Sequence, residues 1–369
     1  MIVAATFSDE TTSIFVSQQA DNDNPKQNRN LFALLARNSK MSCYEICYNS
    51  VMKNIVTARA HTNIALIKYW GKADSRLNIP TTSSLSMTLE PFYTTTSVKF
   101  TDGASDSLIL NSEVADANRV SKFLEMMREQ YGHFPKVMIQ SENHVPTAAG
   151  LASSASSFAA LTAAMFGLLD LEKDESEMSR IARRGSGSAS RSIFGNFAVW
   201  NKGENHQSSF AESFYNEDIG LSMIVAEISA EKKKMSSTKG MQLAQTAPTY
   251  SAWVEKSAKD LLEMKAAILQ KDIEKIGLIA QENALGMHEQ NRLCLEPFDY
   301  FTEETRRVID FVNQAYQAGL LAFVTIDAGP NVKIITDHAT EQILLAKLKA
   351  EFPELTFDIA RAGGAYEYL

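Results

Sequence analysis

The sequence predicts an α+β fold built as two domains. Segments with strand character cluster in the first half of the chain and long helical periods gather after about residue 235. The two do not alternate as a doubly wound sheet requires. With 369 residues there is chain enough for two cores, a domain being usually about 100–200 residues. The expected division is a leader over 1–52, an N-terminal domain over 53–234 and a C-terminal domain over 235–369.

Taken in order, Ile55 to Ala60 and Tyr93 to Phe100 read as strands, the second because threonine alternates with β-branched and aromatic residues. Leu108-Ile109-Leu110-Asn111 reads as one arm of a hairpin. Asn118 to Tyr131 sets Val120, Phe123, Leu124 and Met127 on one helical face. Val137 to Gln140 is a short strand that delivers the chain into a small-residue loop. Helices are expected over Phe158–Leu169 and Glu175–Arg184, and strands over Phe197–Trp200 and Leu221–Ile228. Helices then follow over 248–270, 272–289 and 302–318. Strands over 321–326 and 332–335 flank a tight turn, and a helix over 339–350 with a strand near 356–360 closes the chain. No internal repeat is evident.

The formal net charge of −8 leaves no basic footprint, which argues against nucleic acid as a partner. No apolar run approaches the roughly 20 residues that span a bilayer, so no membrane partner is expected. Three cysteines, Cys43, Cys47 and Cys294, make no disulfide framework, and Cys43-x-x-x-Cys47 has no nearby histidine to suggest zinc. A cytoplasmic location follows as the expectation. Residues 21–30 are polar and turn-rich, and Leu31 to Arg37 has the pattern of a short amphipathic helix. A basic segment followed by an apolar core is absent, so no secretory signal is expected. Met41 and Met52 are alternative starts, and the folded part is expected to begin near Met52, the leader being an appendage or an upstream-start artefact.

Four segments carry the chemistry. Pro146-Thr147-Ala148-Ala149-Gly150-Leu151-Ala152-Ser153-Ser154-Ala155-Ser156-Ser157 is almost free of bulky side chains and runs into the apolar helix. Small residues let backbone approach an anion, and helix N-termini point N–H groups at it. It is neither a Walker A loop, since no lysine follows, nor a G-x-G-x-x-G fingerprint. It reads equally as a phosphate cradle or as a tight Ala/Ser helix contact. Asn63 to Lys72 places Lys68 and Lys72 beside Tyr69 and Trp70, which suits an anionic ligand or two solvated lysines. Arg184-Gly185-Ser186-Gly187-Ser188-Ala189-Ser190-Arg191 is a second hydroxyl-rich turn, an anion nest with an arginine fork or a plain linker. Asp327, after an apolar strand and before Ala328-Gly329-Pro330-Asn331, is a carboxylate held at a strand end, a general base or an ordinary Asx turn. Together they suit transfer of a phosphoryl group to an anionic small molecule, chemistry that asks for positioning and charge neutralisation.

Taken jointly, these segments resemble the mevalonate diphosphate decarboxylases, within the galactokinase, homoserine kinase, mevalonate kinase and phosphomevalonate kinase (GHMP) superfamily. Asn63 to Lys72 is similar to N-x-A-x-x-K-Y-W-G-K, Pro80 to Ser86 to P-x-x-S-[SL]-S, and Ser141 through Ser154 to S-E-N-x-x-P-T-A-A-G-L-A-S-S. Arg184 to Arg191 is similar to R-x-G-S-G-S-A-x-R and Asp327 to Asn331 to D-A-G-P-N, with Ser236-Ser237-Thr238 and Gly240-Met241 matching as well. The likeness spans residues 53–369; the leader has no counterpart, and Ser190 stands where cysteine is common.

The resemblance implies the GHMP-kinase fold, an N-terminal ribosomal-protein-S5-like α+β domain and a C-terminal ferredoxin-like one, with the site in the cleft. It implies ATP- and Mg²⁺-dependent conversion of mevalonate 5-diphosphate to isopentenyl diphosphate by a homodimer, in the mevalonate pathway of isoprenoid biosynthesis. On that basis Asp327, Lys68, Ser154 and Arg191 are catalytic. Asn63, Tyr69, Lys72, Ser186, Ser188, Arg191 and Ser237 bind substrate, and Pro146, Ala149, Gly150, Leu151, Ala152, Ser153 and Ser154 bind ATP. Direct Mg²⁺ ligands are left unassigned. The alternatives are a small-molecule kinase that stops at the phosphorylated intermediate and a catalytically silent binding protein on the same fold.

Overall fold

In the computed structural model, residues 55–145, 153–229 and 235–369 are described. The leader with its Leu31–Arg37 segment, and Pro146 to Ala152 of the small-residue run, lie outside them. Residues Ile55–Leu369 form one compact unit.

Two sheets organise that unit. Strand β1 (Val56–Ile67) buries alternate side chains over its first half and both faces over its second. The change marks where Ile64, Leu66 and Ile67 enter a core shared with helical residues such as Leu261, Met264 and Ile276. After a short hairpin of β2 (Lys72–Asp74) and β3 (Ile79–Pro80), β4 (Ser84–Thr101) runs for 18 residues. It is the long axis of the first sheet, pairing antiparallel with β1 along most of its length. The sequence suggests only its second half, because Ser84 to Leu89 is buried on both faces and shows no alternation. The first sheet is completed by β5 (Ser107–Leu110), β6 (Glu113–Ala115), β7 (Lys136–His144), β8 (Phe197–Trp200) and β9 (Ala211–Tyr215). A last short strand, β14 (Glu367–Tyr368), returns the chain end to β1.

The second sheet has the order β11–β12–β10–β13, all antiparallel, from β10 (Leu221–Glu227), β11 (Phe323–Ile326), β12 (Val332–Asp337) and β13 (Thr356–Arg361). Helix α1 spans Asn118–Tyr131, residue for residue as the periodicity predicts, and buries Phe123, Leu124 and Met127. Helix α2 (Ser153–Leu168) includes five residues more at its start than the apolar pattern suggests, and is buried nearly all round. It is a central helix with no polar face to read. Helix α3 (Glu175–Gly185) starts on Asp174, whose side chain accepts from the Ser176 amide, and ends on Arg183 and Arg184. Helices α4 (Ser237–Ala244), α5 (Tyr250–Gln270), α6 (Ile273–Leu293), α7 (Glu303–Gln317) and α8 (Glu341–Glu351) follow. Helix α4, β9 and β14 are not anticipated from the sequence; each is short and gains its order from packing rather than period.

Candidate active site

Strand β1 ends at Ile67, and the chain leaves it in a loop over Lys68-Tyr69-Trp70-Gly71. Lys68 and Lys72 therefore part company. Lys68 is buried, donates to the Ala65 carbonyl at 2.9 Å, and donates to Asp327 Oδ1 at 2.7 Å. Asp327 stands just past the end of β11, and its backbone carbonyl accepts from the Gly329 amide at 2.8 Å, which closes the tight turn. Burial favours the neutral acid, but Lys68, Lys333 and Arg191 outweigh it and hold the carboxyl down to about 2. Burial likewise lowers Lys68, and the Asp327 charge opposes that fall.

Arg191 follows a turn of 3₁₀ helix over Gly187–Ser190 and is buried. Its partners are neutral. Nε donates to Asn63 Oδ1 (3.2 Å) and Ser86 Oγ (2.9 Å), Nη1 to Ser84 Oγ (2.5 Å), and Nη2 to Asn63 Oδ1 (3.1 Å). Asn63 is fixed in turn through Nδ2 to the Ser188 carbonyl and Ser192 Oγ. A guanidinium has five N–H donors, so among the described residues Nη1 and Nη2 each keep one for another acceptor. Burial lowers Arg191 to about 10. The Asp327 charge offsets part of that burial cost, but the groups hydrogen-bonded to the guanidinium are neutral, and an anionic ligand would offset more of it.

The two serine-bearing turns meet. Ser154, near the start of α2, lies 3.1 Å from Ser186 Oγ, which lies 3.4 Å from Ser188 Oγ. Close packing brings them together: a Cβ on Gly185 would stand 2.0 Å from the Phe158 ring, so only glycine lets α3 end against α2. Gly185 and Gly187 do not take the left-handed conformation of a nest. Gly187 instead makes room for Tyr69, whose ring a Cβ would approach to 2.6 Å. Tyr69 packs edge-on against Trp200 at 4.7 Å, and its buried hydroxyl has no partner among the described residues. Lys72 donates to Asn78 Oδ1 at 2.7 Å and forms no ion pair among the described residues. Asn78, at φ 53°, also donates to the Arg183 and Arg184 carbonyls.

Ser237 opens α4, where Ser236 accepts from the Lys239 amide as cap. This helix packs on the same turn: a Cβ on Gly240 would stand 3.2 Å from the Trp70 ring and 2.7 Å from the Tyr300 hydroxyl. Ser153 is the first residue of α2, while Pro146, Ala149, Gly150, Leu151 and Ala152 lie outside the described residues. Sequence reading misses Ser84 and Ser86, which hold Arg191, and Lys333, a buried lysine of β12. The P-x-x-S-[SL]-S pattern contained the two serines without assigning them a task. Nothing in the local sequence marked Lys333, which sits in an ordinary strand. No group of three or more His, Cys, Asp or Glu that could hold a metal ion occurs among the described residues.

Lys68, Lys72 and Arg191 outnumber the one carboxylate beside them, Asp327, and call for an anionic ligand, so fold and site together define an enzyme of small, multiply charged substrates. Residues 60–211 match the family model described as the diphosphomevalonate decarboxylase-like N-terminal domain, and residues 223–363 the mevalonate 5-diphosphate decarboxylase C-terminal domain. The diphosphomevalonate decarboxylase of Candida albicans is 37% identical over 320 residues, 79% of this chain and 87% of that one. The crystal structure of mevalonate diphosphate decarboxylase from Staphylococcus aureus superposes with a TM-score of 0.82 at 41% identity, covering 86% and 98% of the two chains. A structure of MDDEF in complex with MVAPP, AMPPCP and magnesium matches equally, at 40% identity and a TM-score of 0.82 over 85% and 98%. The chain belongs to the diphosphomevalonate decarboxylase family, and its two-sheet architecture is the GHMP-kinase fold.

Proposed function

We propose that this chain catalyses the ATP-dependent decarboxylation of mevalonate 5-diphosphate to isopentenyl diphosphate, releasing ADP, phosphate and CO₂. Membership of the family supports the reading. The observation that carries it in this molecule is the buried guanidinium of Arg191, hydrogen-bonded by neutral side chains and keeping, among the described residues, two N–H groups for another acceptor, beside the Lys68–Asp327 pair.

The substrate's 3-hydroxyl is phosphorylated, loss of that phosphate leaves positive charge at C3, and electrons from the carboxylate form the alkene. Asp327 orients the tertiary hydroxyl and takes its proton. The neighbouring cations hold the Asp327 carboxyl down to about 2, so it is ionised and able to accept that proton as the hydroxyl oxygen bonds to phosphorus. Lys68 keeps Asp327 ionised and balances charge on the reacting oxygens. Arg191 and Asn63 orient the substrate carboxylate. Tyr69, Lys72, Ser186, Ser188 and Ser237 hold the diphosphate, the Tyr69 hydroxyl having no partner among the described residues and so a donor to offer it. Ser154 meets the γ-phosphate of ATP, and Pro146, Ala149, Gly150, Leu151, Ala152 and Ser153 complete the nucleotide loop.

The residues fit Mg²⁺ arriving with the nucleotide: hard oxygen donors converge at Ser154, Ser186 and Ser188, and this ion commonly keeps waters and substrate phosphates as ligands. When bound, Mg²⁺ neutralises charge on the phosphates. Two domains over 53–234 and 235–369, a homodimer and a cytoplasmic location belong to the same proposal. No helix among the described residues is long and apolar enough to cross a membrane.

The test is incubation with MgATP and mevalonate 5-diphosphate, following ADP and trapped CO₂ together. Equal yields of both are expected. ADP without CO₂ would make the chain a kinase, and neither product would make it a binding protein.

A further inference from the structure

Helix α6 faces the site with two rows of polar side chains among apolar neighbours. Gln281 and His288 are seven residues apart, two turns along one face. They reach β11, the outer strand of its sheet, where alternate backbone groups lack a strand partner. Gln281 Oε1 accepts from the Val324 amide at 2.8 Å, and His288 Nε2 lies 3.3 Å from the Ile326 carbonyl. Asn283 and Asn291 form the second row. Asn283 Oδ1 accepts from the Lys68 amide at 2.9 Å, and Asn291 Oδ1 accepts from the Trp70 indole at 2.9 Å.

Two of these contacts fall on the peptide units that carry the reacting side chains. The Lys68 amide is the residue's own backbone, and the Ile326 carbonyl belongs to the peptide bond that enters Asp327. We propose that Asn283 and His288 are positioning residues for the Lys68–Asp327 pair, holding two strand ends from separate sheets at one distance from one helix. Their roles rest on the function proposed for that pair.

Both anchors are themselves locked. Asn283 is buried and donates to Ser257 Oγ at 3.2 Å and Asp260 Oδ2 at 2.9 Å, and Asp260 is paired with Lys256. His288 is fully buried, 4.4 Å from the Phe301 ring and 6.0 Å from Tyr300. Only its Nε2–H can serve the Ile326 carbonyl, so Nδ1 is bare, and no partner meets it among the described residues. Burial and the nearby Lys68 charge hold the ring neutral, lowering it to about 3. A neutral donor is what the place requires, since a proton on Nδ1 would set a second cation beside Lys68. Around α6 the neighbours Ile276, Ile279, Ala280, Ala284 and Met287 supply the packing. The polar pair is therefore surplus to holding the helix in place, and apolar substitutes would leave backbone groups orphaned beside the reacting residues.

The experiment compares His288→Leu, His288→Gln and Asn283→Leu, with Asp327→Asn in parallel, each checked for folding by thermal melting. Readouts are kcat, KM for mevalonate 5-diphosphate, and the alkaline limb of the pH profile of kcat/KM. Misplacing reacting groups by about 1 Å costs on the order of a hundredfold in rate, so His288→Leu and Asn283→Leu should lower kcat by roughly ten- to a hundredfold with KM little changed. The alkaline limb should move to lower pH. Groups bearing on the pair are Asp327 at the end of β11, Arg191 after the 3₁₀ turn, Lys333 on β12 and neutral His288; only Asp327 raises Lys68, so loosening the pair lowers it. His288→Gln, which offers an amide N–H close to the place of Nε2, should restore most of kcat and the limb. Wild-type kcat and limb in His288→Leu and Asn283→Leu would overturn the positioning role, and so would failure of His288→Gln to recover either. If His288→Leu does not fold, Asn283→Leu decides alone by the same two readouts; if neither folds, His288→Asn, whose shorter amide falls short of the Ile326 carbonyl, takes their place, a lowered kcat with the limb at lower pH supporting the role and wild-type kcat and limb overturning it. Full activity in Asp327→Asn would instead overturn the function on which the proposal rests.

Discussion

Lys68 Nζ sits 2.7 Å from Asp327 Oδ1 although 259 residues separate them in the chain. The end of a strand in one sheet meets the end of a strand in the other, and the function proposed for this chain places its chemistry at that contact. Lys68 is 2% exposed and Asp327 30%, so a buried ammonium faces a carboxylate that a substrate can still reach.

Asp327→Asn keeps the shape and removes the anion. Turnover should fall by about 10²–10⁴-fold, the range of a general acid–base group. Binding of an ATP analogue, followed by titration, should be unchanged, because the nucleotide loop is a separate segment.

Arg191→Lys should separate binding from folding. A lysine cannot span Asn63, Ser84 and Ser86 and still present two N–H groups. Loss of the charged hydrogen bonds is worth about 1.5–3 kcal/mol, read as a rise in KM for mevalonate 5-diphosphate. An unchanged KM would remove the carboxylate-binding role.

Gly187→Ala puts a methyl 2.6 Å from the Tyr69 ring and 3.1 Å from Trp200. Overpacking of this kind costs about 1–3 kcal/mol. The melting temperature should drop, and KM for the diphosphate substrate should rise as Tyr69 is displaced.

Asp106→Ala tests stability away from the site. Arg128 grips Asp106 through both terminal nitrogens, at 2.7 and 3.1 Å, with both side chains buried. Removing one member of a buried pair costs about 3–5 kcal/mol. Chemical denaturation should show that loss, with kcat of the remaining folded enzyme unaltered.

Acid should weaken the fold in two windows. His288 titrates near 6.5 when unfolded and about 3 when folded, so the unfolded chain binds the proton first. Stability from the neutral ring is complete above about 6.5 and is lost as pH falls toward 3. Asp327, lowered from 3.8 to about 2, contributes stability present above 3.8 and lost as pH falls through 2. Denaturant midpoints measured from pH 7 to 4 should decline less steeply in His288→Gln than in the wild type.

Local pattern made much of the fold legible. Helix α1 follows its sequence period to the residue, and strand β8 takes the bounds expected of it as a short apolar run. Where both faces are buried the period disappears, so the first half of β4 and the start of α2 escape a pattern-based reading. Short elements such as β14 have no period at all and exist because Tyr368 reaches the Ala163 carbonyl and Glu367 pairs with Arg59.

The site divides in the same way. Residue types and motif spacing by themselves determined the family, the anionic character of the ligand, and the candidacy of Lys68, Asp327, Arg191 and Ser154. Tertiary structure alone decided which of those residues touch: Lys68 with Asp327, Ser154 with Ser186, and Arg191 within a cage of Asn63, Ser84 and Ser86. It also decided that Gly185 and Gly187 serve close packing, and that α6 reaches the ends of both β1 and β11. The physical reason is range. Periodicity and turn chemistry act over a few residues, whereas burial of a charge and its partner depends on how two sheets and a helix close around them.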